Sequence, residues 1–182
     1  MKKSLAERLR RTVLVVVAVS VAASLAGLPL YVFPIDDEIR DADTVFVLGP
    51  PTWQRIDVAR DLLGRHEVSR ALISVSPTGR QSAAEYAPCG YSDFECRTPD
   101  PFTTDGEAAM LRDFQNPEAL EHQVVVVTFK PHVARARYIL ERCYDGDVAV
   151  IGVDQDLTLW DWAYQYVYQT AAFVKAAFSP CS

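Results

Sequence analysis

Residues 124–137 read VVVVTFKPHVARAR, and this stretch decides the fold class. Four consecutive valines suit a strand buried on both faces, the habit of parallel sheets covered by helices. A short polar turn follows at Thr128, Phe129, Lys130 and Pro131, and a helix then opens with His132, Arg135 and Arg137 within about two turns. In an open parallel sheet, ligands bind beyond the carboxyl ends of the strands. A hydroxyl, an amine, an imidazole and two guanidiniums at one such end point to an anionic ligand.

Outward from this strand the chain alternates. Residues 43–48 form a first strand, stopped by Gly49-Pro50-Pro51, and residues 53–63 carry apolar side chains at helical spacing. Residues 71–75 are a second strand. Residues 76–101 are long and irregular, with six prolines and glycines, and a loop of that length in a compact domain is usually functional. Thr103 or Thr104 can cap the next helix, and Thr104-Asp105-Gly106-Glu107 fits a capping box. Residues 124–128 are the third strand, 133–143 a helix, 148–153 the fourth strand, and 159–178 a last, aromatic-rich helix. Alternation of this kind implies a three-layer α/β, Rossmann-like parallel sheet with helices on both faces.

The first third of the chain has another character. Residues 1–11 are a basic cytoplasmic segment with Lys2, Lys3, Arg8, Arg10 and Arg11 against Glu7. Residues 12–33 then run 22 positions without a charge, long enough to cross a bilayer as one helix. The basic flank places the N-terminus inside and the domain of residues 43–182 outside the cytoplasm, joined by an acidic linker at 34–42. A cleaved signal peptide is the rival, because Ser24-Leu25-Ala26 offers small residues before a possible cut. Both readings export the domain to the membrane's outer side.

Cys89, Cys96, Cys143 and Cys181 are an even set in an exported chain, which reads as two disulfides. Three pairings are open, with Cys89–Cys96 and Cys143–Cys181 favoured. Their spacing is too loose for zinc, so no metal is expected. Without the five bases and one acid of residues 1–11, 13 Lys and Arg face 23 Asp and Glu, a charge near −10. So acidic a surface disfavours nucleic acid.

Among candidate site residues, His132 is either a helix-start histidine bonded to backbone or an acid/base and phosphate donor, kept neutral by the helix end. Arg135, one turn on, suits a bidentate clamp on phosphate or carboxylate, or else a salt bridge to a loop acid. Glu107 either caps its helix or faces the pocket as a base or metal ligand, where with His132 it makes a carboxylate–imidazole pair. Thr104 reads as a cap before a ligand group, and Arg55 as a further anion contact. Arg137 and Arg142 read as solvated. Gln165 and Gln169 share a face of the last helix, whose Trp160, Trp162, Tyr164, Tyr166 and Tyr168 suit packing or a membrane surface. Ser74 and Ser76 lack a nucleophile elbow.

Three segments, VFVLGPPTWQRIDVARDLL, TTDGEA at 103–108 and VVVVTFKPHVARA at 124–136, resemble the bacterial envelope family of SanA, YdcF and ElyC over roughly residues 43–178. The resemblance implies a Rossmann-like fold, an envelope location, links to wall integrity and drug exclusion, and site positions at Arg55, Thr104, Glu107, His132 and Arg135. One member is reported to bind S-adenosylmethionine, and no reaction is generally accepted. Where the family carries glycines after its first strand this chain has Pro50-Pro51, which lack the N–H groups that cradle phosphate.

These readings converge on an anchored protein that binds or processes an anionic envelope ligand, either a lipid-phosphate carrier or a wall precursor. The alternative is a non-catalytic binding or scaffold module for envelope enzymes. No cofactor is expected, because nucleotides and S-adenosylmethionine are made on the other side of the membrane.

Overall fold

The computed structural model describes residues 2–115 and 122–181. Helix α1 (Lys2–Gly27) runs into a π-helical turn at Leu28–Val32. The combined helix is long and apolar enough to cross a membrane and is almost bare of protein contacts. Strands β1 (Ala42–Val47), β2 (Arg70–Ser74), β3 (Phe94–Arg97), β4 (Gln123–Phe129) and β5 (Val148–Val153) form one sheet in the order β3-β2-β1-β4-β5. Every pairing is parallel. The fold is the expected α/β sheet with helices on both faces.

Alternation within the strands builds two cores. Phe46, Leu48, Val124, Val126 and Val150 face α3 (Thr104–Phe114) and α4 (Val133–Cys143). Val45, Val47, Val125 and Val127 face α2 (Trp53–Gly64), with Ile56, Ala59 and Leu62 against them. The four valines of β4 are thus divided two and two, and all are fully buried because β4 is covered on both faces and flanked by β1 and β5. Each such side chain contributes about 1.5–3 kcal/mol of burial.

Two sequence expectations need correction. The 76–101 stretch is not only a loop: it carries β3, an edge strand of four residues. Its alternation is too short to stand out, and Cys89–Cys96 pins it to the preceding turn, with Cα atoms 5.6 Å apart. The second disulfide joins Cys143, at the end of α4, to Cys181, beyond α5 (Leu159–Phe178). The acidic linker is not free either. Asp37 Oδ2 accepts from Val150 N at 2.9 Å and Asp36 Oδ1 from Gly152 N at 2.7 Å. These carboxylates occupy donors along the outer edge of β5, which would otherwise invite another strand.

Candidate functional site

Strands β1 and β4 are neighbours whose chains leave in opposite directions, β1 to α2 on one face and β4 to α4 on the other. This is a topological switch point, where the loops part and leave a crevice at the carboxyl ends. A cavity of about 720 Å³ opens there, lined by Gly49, Arg55, Thr104, Glu107, His132 and Arg135 among others. It also receives the first residues of α3, together with Thr52 and His132, the residues that precede α2 and α4. Three positive helix ends therefore point at one space.

Glu107 enters this space because the cap lies one residue earlier than the capping-box reading placed it. Thr103, not Thr104, caps α3, with its Oγ1 accepting from Gly106 N at 3.3 Å. Glu107 is then released from capping, and its Oε1 accepts from Gly49 N at 2.7 Å. The approach requires glycine, since a Cβ at position 49 would lie 2.8 Å from Ser74 Oγ. Burial raises the carboxyl's pKa from 4.5 to about 7, against the pull of Ser74, the Gly49 N–H, Arg55 and Arg135. Ser74 Oγ acts on the carboxyl from nearby, although it meets no group with full hydrogen-bond geometry.

His132 is 4% exposed. Its Nδ1 lies 2.9 Å from Thr128 Oγ1 and its Nε2 3.4 Å from Thr104 Oγ1. Burial first, then the charges of Arg135 and Arg55, hold its pKa well below the usual histidine value, so the ring is neutral. Two proton arrangements satisfy the set, with Arg135 donating to Thr104 in both: Thr104 donates to Nε2 and the Nδ1–H to Thr128, or Thr128 donates to Nδ1 and the Nε2–H to Thr104. Glu107 and His132 share the cavity rather than a hydrogen bond, so the expected carboxylate–imidazole pair is an across-pocket arrangement.

The two arginines differ in their freedom. Arg55, 4% exposed, donates from Nη1 to Leu48 O at 3.0 Å and Pro50 O at 3.2 Å, and stacks 5.2 Å from the Phe129 ring. Its Nε is buried without a partner, and burial lowers its pKa to about 10. Arg135 donates from Nε to Gln169 Oε1 at 2.9 Å and, more loosely, from Nη1 to Thr104 Oγ1 at 3.5 Å. Its guanidinium lies over the Tyr168 ring, 5.9 Å from the centroid. None of the described carboxylates lies within salt-bridge distance of either guanidinium. The first loop offers no phosphate cradle: Gly49 N–H is spent on Glu107, and Pro50 and Pro51 have none.

Other residues fall elsewhere. Arg137 is not solvated but bound to Asp37 at 2.9 Å and to Ile35 O, and Arg142 donates to Ala176 O and Ser179 O. Lys130 pairs with Asp154 at 2.7 Å. Gln169 is a functional neighbour that sequence reasoning underrated: it is fully buried, positions Arg135 and donates to Gln165. Thr128, read from sequence as a hydroxyl at the strand end, is buried and bonded to His132 Nδ1. Among the described residues no group of three His, Cys, Asp or Glu is placed to hold a metal.

The fold and pocket define a doubly wound α/β domain with a buried cationic site at its switch point, preceded by an apolar helix. Searches against family models, curated proteins and solved structures return no match to the chain.

Proposed function

We propose that α1 anchors the protein with its N-terminus in the cytoplasm, and that the outer domain binds or processes an anionic ligand of the cell envelope, a lipid-phosphate carrier or wall precursor. The observation that carries this reading is that two guanidiniums, buried Arg55 and half-buried Arg135, share the cavity with a single carboxyl, Glu107, which lies beyond salt-bridge distance of both and whose pKa burial raises to about 7. A buried charge is costly unless paired, and two cations against one partly protonated carboxyl give the cavity a net positive field that favours an anion. Three helix N-termini add to the same field. The cavity continues between α4 and α5 past Ile139, Ala172 and Ala176, room for an apolar tail behind a charged head. Basic residues in the first turns of α1, ahead of its apolar run, and two disulfides after the helix favour the outward orientation.

Within this reading, Arg135 and Arg55 hold the anion, Thr104 orients it, and neutral His132 positions the Thr104 hydroxyl through Nε2. Glu107, with a pKa of about 7, is poised to give or take a proton if the bound group reacts. Distant kinship with the SanA, YdcF and ElyC family is part of the proposal and accounts for the TTDGEA and Thr-x-x-x-His-x-x-Arg-Ala segments. A second reading, a scaffold that binds without chemistry, draws on the first loop, which has no spare N–H to stabilise a transferring phosphoryl group.

Thermal-shift profiling of the full chain in detergent tests the proposal, using inorganic pyrophosphate, a short prenyl phosphate and a soluble wall-precursor headgroup. A stabilisation in wild type that disappears in Arg135→Ala is expected. No shift with any of the anions would remove the anion site and leave the scaffold.

A further inference from the structure

Helix α5 carries an apolar stripe that no described residue of the domain covers. Trp160, Tyr164, Val167, Ala171, Val174 and Phe178 recur at spacings of three and four, one face of a helix, and all are exposed, Trp160 at 81% and Phe178 at 86%. No charge interrupts the stripe, and Asp161 and Lys175 flank it. The opposite face is occupied: Gln169 is buried against Arg135, and Phe173 stacks 5.0 Å from Tyr138 of α4.

The same helix is fastened to α1. Tyr166 Oη donates to Ser24 O at 3.1 Å, its ring lies 5.1 Å from that of Tyr31, and Tyr31 Oη meets Thr170 Oγ1 at 2.9 Å. Gly27 lies so close beneath the Tyr166 ring that a Cβ there would collide with it. These contacts set a depth. At about 1.5 Å per residue, Ser24 lies ~20 Å beyond Arg11, the last base before the apolar run, within a hydrocarbon core about 30 Å thick. Tyr166, bonded to it, is therefore held about 10 Å below the outer edge of that core, while Tyr31, ~30 Å beyond Arg11, meets Thr170 at the edge itself.

We propose that α5 is an interfacial helix whose apolar stripe is covered by the outer leaflet, beside the point where α1 leaves the bilayer. Amphipathic helices with Trp and Phe on the apolar side settle about 5–10 Å into this layer, and tyrosine and tryptophan favour it. The inner face of α5 lines the cavity through Gln165, Tyr168 and Gln169. The pocket then opens at the lipid surface, where a headgroup can reach it without leaving the membrane. This inference rests on the reading of α1 as a retained anchor, not on the identity of the ligand.

The test uses the full chain in phosphatidylcholine–phosphatidylglycerol vesicles, comparing wild type with Trp160→Phe. The emission difference between them isolates Trp160 from Trp53 and Trp162. Lipids brominated on the upper acyl chain are expected to quench that difference roughly twofold or more, and aqueous iodide to leave it nearly unchanged. Quenching by iodide and not by the lipids would overturn the proposal. So would protection from both quenchers together with a cross-linked dimer, which would assign the stripe to a second copy. Intact mass of the membrane-extracted chain shows whether α1 is retained. A mature chain lacking it and unquenched by the lipids overturns the anchor and the inference together, while the anion titration still reports on the pocket.

Discussion

Glu107→Gln is expected to change how stability depends on pH. Loss of water around the carboxyl raises its pKa from 4.5 to about 7 in the folded chain. The native state therefore holds a proton that the unfolded chain releases at lower pH. A raised native pKa contributes stability that is complete below the unfolded value of 4.5 and lost as pH rises through about 7. That interval corresponds to about 3 kcal/mol. The amide that replaces the carboxyl still accepts the Gly49 N–H and has no proton to lose. Urea unfolding of the full chain in detergent, followed from pH 5 to pH 9, is the assay. Wild-type stability minus variant stability is expected to fall by roughly 2–3 kcal/mol across that window, with the steepest part below pH 7. Other groups titrate in both proteins and cancel in the difference. A difference that stays flat would mean that the carboxyl ionises near its ordinary value, and the desolvation argument would be refuted.

Other outcomes follow from the same geometry. His132 is expected to stay neutral to well below pH 6.5, so its ring proton resonances should not move between pH 8 and pH 6; a midpoint at or above 6.5 would contradict its burial beside two arginines. Gly49→Ala should cost about 1–3 kcal/mol in urea unfolding, because the turn after β1 must shift off Ser74 and loosen the partly buried hydrogen bond to Glu107. Replacing Cys143 and Cys181 together by serine should lower stability by about 3–4 kcal/mol from the loop closed over a separation of 38 residues, read from the same unfolding curves.

Much of this was legible in the sequence because it rests on strong local signals. The run of valines announced a doubly covered strand, and helices α4 and α5 begin and end where their apolar periodicity does. The crevice was legible too, since a polar turn after a buried strand has few other uses. Strand β3 was hidden because four residues carry too little alternation, and it is held as an edge by pairing with β2, by the disulfide and by Phe94 in the core. Glu107 was ambiguous for a physical reason: a cap one residue earlier frees its side chain, and sequence pattern does not resolve a one-residue step. Gln169 looked like a groove residue on an aromatic helix, and only the tertiary contact with Arg135 shows its role. Arg137 could not be paired from sequence because its partner Asp37 lies 100 residues away, in what reads as a linker.

The central claim is that Arg135 and Arg55 wait for an anion. Calorimetric titration of a short-chain prenyl phosphate into the full chain in nanodiscs, for wild type and Arg135→Met, tests it most directly, with the uncharged prenol as control. The account predicts saturable binding of the phosphate to wild type, no binding of the prenol, and a loss of affinity of about tenfold or more in the variant, since a charge-assisted contact is worth roughly 1.5–3 kcal/mol. Equal affinity in both proteins, or equal binding of phosphate and prenol, would contradict it.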